Sequence, residues 1–384
     1  MRRRVRIAVV DTYYPAFLEE HYRARPELAA RTYREQLAVL IDRCFGTADA
    51  YSWHLNELGH EAIDLVANCA PLQLRWAAEH RGPGRLRRML TRAPLISRVL
   101  ARDPILQEIA LAQIEAQPSE VVYVQNLSFF DRPNLDLLRG QGRLLVGQIS
   151  SEPPADEQLR GFDLLLTSFP HFVERFRSLG VDSDFLQIGF YERVLDRLRD
   201  RRVDPGPEAQ RPHALSFVGG IDPRYSQHRA SAELLERVAA ELPLEVWGYG
   251  SEGLAAGSAL RRAYRGEAWG IDMYEVLART RIVVNRHGPI AAGYANNMRL
   301  FEATGAGAML VTEAAPNLAD YFEPGHEVVT YDGPADLMEK LRHYLDHDEE
   351  RRRIAAAGQA RTLREHTYGK VIARLSEILE ARLS

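Results

Sequence analysis

Residues 281–313 read RIVVNRHGPIAAGYANNMRLFEATGAGAMLVTE. Two short apolar runs, 281–285 and 308–312, bracket a helical pattern over 296–304, for which Asn296 or Asn297 supplies the N-cap. Strand, helix and strand at these lengths predict a parallel β-α-β crossover. The first run stops at Asn285, Arg286, His287 and Gly288, so a polar cluster is expected at the carboxyl end of a buried strand. The free N–H groups of the helix start favour an anion. Arg299 stands in the first turn, where a cation opposes the helix dipole, and that placement makes more sense with an anion beside it. Arg299 and Glu302 share one face at i, i+3.

Working outward, the same alternation continues. Short strands are expected at 5–10, 61–68, 121–125, 144–149, 162–167 and 184–188, with helical patterns between them, including 28–44 and 47–58. The pattern collapses into charge, Gly and Pro over 196–212, the best linker in the chain. It restarts with a strand at 214–218, Gly219-Gly220, a helix at 231–241 and a strand at 244–249. Helices follow near 257–264 and 273–278, and others close the chain from 334. The expected class is α/β, with two Rossmann-like domains, 1–195 and 213–384, around the linker 196–212. Such folds bind ligands at the carboxyl ends of their strands, here in the cleft between the domains.

Composition narrows the function. The chain has 384 residues, 46% hydrophobic and 27% charged, with a net charge of −4. That balance argues against a globally basic nucleic-acid binder. Of its 49 basic residues 47 are arginine, whose forks suit phosphate. Cys44 and Cys69 are too few for a disulfide framework or a Cys-x-x-Cys metal site. The basic start, Arg2-Arg3-Arg4, precedes too short an apolar run for a signal core, so a cytoplasmic location is expected. Residues 81–102 carry seven arginines and no acid, interleaved with Leu86, Met89, Leu90, Leu95 and Ile96. This stretch is a candidate for contact with an anionic membrane or a partner, although a solvated helix face is the plainer account.

The block Asn296-Asn297-Met298-Arg299-Leu300-Phe301-Glu302-Ala303-Thr304-Gly305 resembles the donor-binding helix of group-1 glycosyltransferases of the GT-B fold. It is most similar to the spore-maturation-type (CgeB-like) branch, with Asn-x-Arg-x-x-Glu following a strand that ends in Asn-x-His. The resemblance spans roughly 212–384 and includes Phe217-Val218-Gly219-Gly220, His228-Arg229 and the Thr312-Glu313 strand end. It implies a fold of two Rossmann-like domains facing across a cleft, and sugar transfer from a nucleotide-diphosphate-sugar, such as a UDP-sugar, to an acceptor hydroxyl. Glu302 would bind the ribose, Arg229 or Arg299 the diphosphate, and backbone near 268–270 the base.

Gly219-Gly220 permits close approach to a phosphate, though a Gly pair is equally a plain turn. Asn285, Asn296 and Asn297 belong to the same donor-side group, and His287 is a candidate for hydrogen bonding to a sugar or phosphate oxygen. Asp11, ending the first strand, is the candidate base if the reaction inverts; a turn cap is its other reading. One departure stands out: where the retaining members most often studied carry the first Glu of a Glu-x7-Glu pair, this chain has Tyr294. No metal is expected, because arginines and a helix start can carry the leaving-group charge. Two alternatives remain: a nucleotide-sugar 2-epimerase, and a non-catalytic nucleotide-sugar-binding protein.

Overall fold

The computed structural model describes residues 3–80, 103–206 and 210–383, which fall into two units. The first contains residues up to 187 together with those from 372 on, and the second spans Ile188–Val371. The arginine-rich stretch 81–102 lies outside the described residues.

In the first unit the order is β1 (Arg6–Asp11), α1 (Pro15–Arg23), α2 (Tyr33–Ile41), α3 (Ala50–Glu57), β2 (Glu61–Val66), α4 (Ala70–Glu79) and α5 (Asp103–Ala116). Then come β3 (Val121–Val124), α6 (Arg132–Gly140), β4 (Leu144–Gln148), α7 (Asp156–Leu159), β5 (Leu164–Thr167), α8 (Pro170–Ser178) and β6 (Asp182–Phe185). The sheet is fully parallel in the order β2-β1-β3-β4-β5-β6. Its central strands are apolar without alternation because both faces are covered, and β3 and β5 are buried at every residue. Thr32 and Glu35 form a reciprocal capping box that starts α2. The expected 28–44 helix is therefore interrupted, its start being a 3-10 turn over Pro26–Ala30. Thr47 does not cap α3; its hydroxyl pairs with the Gln125 side chain instead.

The second unit runs α9 (Val194–Asp200), β7 (His213–Val218), α10 (Ser226–Glu241), β8 (Leu244–Trp247), α11 (Ala259–Ala263), β9 (Tyr264–Gly266), α12 (Ile271–Ala278) and β10 (Thr280–Asn285). It continues with α13 (Arg299–Gly305), β11 (Met309–Glu313), β12 (Val329–Tyr331), α14 (Gly333–Asp346) and α15 (Asp348–Glu365). Its sheet is again parallel, in the order β12-β11-β10-β7-β8-β9. Leu235 and Val238 of α10 and Leu337 and Leu341 of α14 pack on Leu215, Ile282 and Val311 of the strands, forming one core.

The division between units falls at 187/188, and helix α9 occupies the first part of the expected linker. Its charged residues face outward while Val194, Leu195 and Leu198 are buried. The last helix, α16 (Tyr368–Leu383), starts in the second unit and belongs to the first from residue 372. Within the first unit it is tied down by His60 Nε2, 2.7 Å from Ser376 Oγ, and by Arg382 Nη2, which donates to Asp184 Oδ2 at 3.2 Å. No helix among the described residues is long and apolar enough to cross a membrane.

Candidate functional site

The carboxyl edge of the second sheet collects most of the singled-out residues. After β7 the chain turns through Gly219 and Gly220. Gly248, just past β8, has φ +147°, and a Cβ there would lie 1.9 Å from the Gly219 carbonyl oxygen. The two strand ends thus meet backbone to backbone, with Gly219 N–H donating to Trp247 O at 3.0 Å. A Cβ on Gly220 would run into the His228 ring at 2.5 Å, so this glycine makes room for a side chain. Gly248→Ala is expected to cost about 2–3 kcal/mol, combining strain with overpacking, as read from the urea midpoint. A loss under 0.5 kcal/mol, on the order of an ordinary surface substitution, would show that the strand ends separate freely.

Beside this turn, buried Asp222 accepts from Arg224 Nε at 2.9 Å and from the Arg224 backbone N–H at 3.0 Å. That guanidinium holds the carboxyl below its usual range. Tyr249 and Trp269 stack with centroids 6.0 Å apart and planes 9° from parallel, next to the 268–270 backbone expected to read a base. Arg229 is exposed on α10, where its Nε donates to Pro223 O at 3.3 Å.

At the end of β10 the asparagines form a clasp. Asn285 Nδ2 donates to Thr312 Oγ1 at 2.9 Å, and Asn285 O accepts from Tyr331 OH at 3.0 Å. Asn297 Nδ2 donates to Asn285 Oδ1 and to Arg286 O, both at 3.0 Å. Its Oδ1 accepts from Leu300 N–H at 3.2 Å, so Asn297, one of the two expected cap residues, caps the turn leading into the helix, while Met298, which directly flanks the helix, makes no side-chain cap bond. Asn296 is buried beside it. The regular helix starts only at Arg299, because Asn297 is held against the strand end.

Arg299 and Glu302 face each other as expected, Nη1 to Oε2 at 2.7 Å, with side chains 16% and 6% exposed. Glu302 Oε1 also accepts from Tyr274 OH at 3.2 Å, and Arg299 Nη1 lies 3.1 Å from Met273 Sδ. The pair is held to itself and to α12, while Arg299 Nε is buried without a partner.

His287 occupies a different place. It is buried; its N–H donates to Glu313 Oε2 at 3.2 Å and its Nε2 is 3.3 Å from Thr312 Oγ1. Thr312, which accepts from Asn285, can donate to that Nε2 or accept from it, so the contact fixes neither Nε2 nor Nδ1 as the protonated nitrogen. That Nδ1 is buried without a partner. Burial, together with the nearby Arg286 cation, pushes the imidazole down to about 4, so it is neutral at pH 7. His287 lines a cavity of about 560 Å³ with Ser226, Gln227, Arg286, Glu313 and Tyr331. The first turn of α10, a 16-residue helix, thus borders the same cavity as the Arg286 cation, its partner Glu313 at 3.6 Å, and Asp332.

The other catalytic candidate, Asp11, belongs to the first unit. It is half-buried at the end of β1, and its Oδ1 accepts from Thr12 N–H at 2.7 Å. Withdrawal from water pushes its carboxyl up to about 7 against that bond. Asp64, on the neighbouring β2, is raised by burial to about 8; Ser52 donates to its Oδ2 and its Oδ1 is buried without a partner. Sequence reading passed over Asp64, although an acid inside an apolar strand is itself a signal. It also missed Asp222–Arg224, a pair only two residues apart, and Tyr274, whose partner Glu302 comes from a distant segment.

With this geometry in view, residues 227–377 match the family model described as glycosyl transferase-like. No curated protein matches the chain by sequence. Solved structures do resemble it. A sucrose-phosphate synthase from Thermosynechococcus elongatus aligns at TM-score 0.54 and 12% identity, over 98% of this chain and 99% of that one. HepE from Anabaena, in complex with UDP-glucose, aligns at 0.55 and 12% identity, over 98% and 100%. A glycosyltransferase from Rickettsia africae aligns at 0.51 and 10% identity, over 99% of both chains. The fold is the GT-B architecture, two six-stranded parallel sheets with C-terminal helices.

Proposed function

We propose that the chain transfers a sugar from a nucleotide-diphosphate-sugar donor, a UDP-sugar first among candidates, to an acceptor hydroxyl. The fold and the family match over 227–377 support a glycosyltransferase. The observation that carries the donor reading is the cavity lined by Arg286 and His287 and bordered by the start of α10. The helix start and Arg286, which also pairs with Glu313 at 3.6 Å and shares the wall with Asp332, would hold the diphosphate, and the volume lies in the range of small-molecule pockets. In this reading a fixed cation and a helix start carry the charge gathering on the leaving diphosphate, with no metal assigned. The Asn-x-Arg-x-x-Glu helix is the ground for placing the chain in the spore-maturation-type branch. HepE was solved with UDP-glucose, which makes that donor the first to try.

A thermal-shift screen of nucleotide-sugars tests the proposal. A donor should raise the melting temperature, and slow release of free nucleotide should follow. Absence of any shift across UDP-, GDP- and dTDP-sugars would overturn it. A changed sugar without nucleotide release would point to epimerisation, and binding with neither outcome to a non-catalytic role. For the ribose assignment, Glu302→Gln keeps the shape of the side chain and removes its charge. UDP affinity should fall about ten- to a hundredfold, the usual effect of losing a hydrogen bond to a charged acceptor. Unchanged affinity in calorimetry would remove Glu302 from the ribose site.

A further inference from the structure

The opposite edge of the second sheet, some 20 Å away across a six-residue strand, carries a second concavity. It measures about 680 Å³ and lies at the amino ends of β7 and β10 and the start of α15. Its wall contains Arg202, Arg211, Arg279, Arg281, Arg351 and Arg352, with Asp204 and Asp348 as the acids among the described residues. In a chain whose net charge is −4, this is a local excess of positive charge.

The arginines divide by what already holds them. Arg211 is buried and donates to the carbonyls of Ala278 at 2.6 Å, Gly206 at 3.0 Å and Ala306 at 3.2 Å. It tethers the chain and lends the cavity charge without a free hydrogen bond. Burial and repulsion from Arg351 push its guanidinium down to about 10, a sign that positive charge here is undercompensated. Arg351, 5% exposed, and Arg352 share the single carboxylate of Asp348. Arg279 pairs with Glu275 outside the wall at 3.0 Å. Arg281 uses Nε on Arg211 O at 2.9 Å and its charge helps hold the Asp348 carboxyl down; among the described residues neither its terminal nitrogens nor the Arg202 guanidinium forms a close ion pair.

We propose that this concavity is a second ligand site, separate from the donor cavity, that binds a small phosphorylated molecule through Arg202, Arg281 and Arg352. Guanidinium forks match phosphate oxygens two at a time, and Asp348 already shows the wall gripping an oxyanion. Inorganic diphosphate would leave space unfilled, so the cavity has room for an attached sugar or nucleoside.

Calorimetry on the full chain at low salt tests this with three probes: inorganic diphosphate, a hexose phosphate and a nucleoside diphosphate. At least one should bind, and Arg202→Gln/Arg281→Gln should weaken it tenfold or more. His287→Gln, in the donor cavity, should change the affinity for the hexose phosphate less than twofold, whereas the nucleoside diphosphate, which both cavities would take, should lose only one of two binding events. Arg202→Gln alone, at an exposed position, serves as the variant least able to disturb folding and should weaken binding about threefold. The tightest probe identifies whether sugar, nucleoside or phosphate alone is read. Equal affinity in wild type and the double variant, loss in His287→Gln only, or no binding of any probe would each overturn the proposal.

Discussion

Replacing Arg299 with methionine is expected to lower the stability of the second unit by about 3–5 kcal/mol, the range seen when one partner of a buried ion pair is removed. Met fills much of the volume, so the loss comes from charge. It leaves the Glu302 carboxylate, 6% exposed, with only the Tyr274 hydroxyl at 3.2 Å. The double change Arg299→Met/Glu302→Leu should recover most of that loss, because apolar replacement of both partners removes the uncompensated charge. Urea unfolding of the three proteins gives the comparison; a single-variant loss under about 1 kcal/mol would place the pair among solvent-screened ones. The result bears on function. An arginine paired with Glu302 orients the carboxylate, and in the proposed reading the diphosphate then lies in the cavity at Arg286, His287 and α10.

How much of this could be read from sequence depends on how local each feature is. Strand cores were legible because an apolar run such as 121–125 or 281–285, closed by polar residues, has one economical use in a parallel sheet. The Asn297 cap and the Arg299–Glu302 pair were legible for the same reason: both are set within one helical turn. Element edges shifted where a distant partner intervened. β6 begins at Asp182 because an edge strand leaves that acid exposed. α9 hid in the expected linker because its arginines and aspartates outweigh three buried aliphatics in the pattern. β9 and β12, three residues each, are too short to show a period. The return of α16 to the first unit rests on His60, some 300 positions away in the chain, and no local signal encodes it. The arginine-lined cavity is assembled from four separated segments and emerges only when strand starts and the α15 start come together.

Asp11→Asn is expected to move activity and stability in opposite directions, and that opposition separates its two readings. If Asp11 is the base of an inverting transfer, its loss should cut kcat by about 10²- to 10⁴-fold with donor affinity unchanged. In the wild type, kcat/KM should then rise tenfold per pH unit below about 7 and level off above, since the ionised form acts. Stability follows the same proton with the other sign. The folded carboxyl holds its proton up to about 7, whereas the unfolded one releases it near 3.8. The folded state therefore binds more protons between these values, and stability falls as pH rises from about 4 to 7, then stays flat. Asparagine cannot ionise, so at pH 8 the variant should be more stable than wild type by roughly 2 kcal/mol or more, and the gain should vanish near pH 4. A turn cap gives a different result: the bond from Thr12 N–H is retained by the asparagine oxygen, and transfer continues at the wild-type rate. Retained turnover removes Asp11 as base, while lost turnover with a stability gain confined to neutral and alkaline pH identifies a carboxylate kept raised for proton transfer.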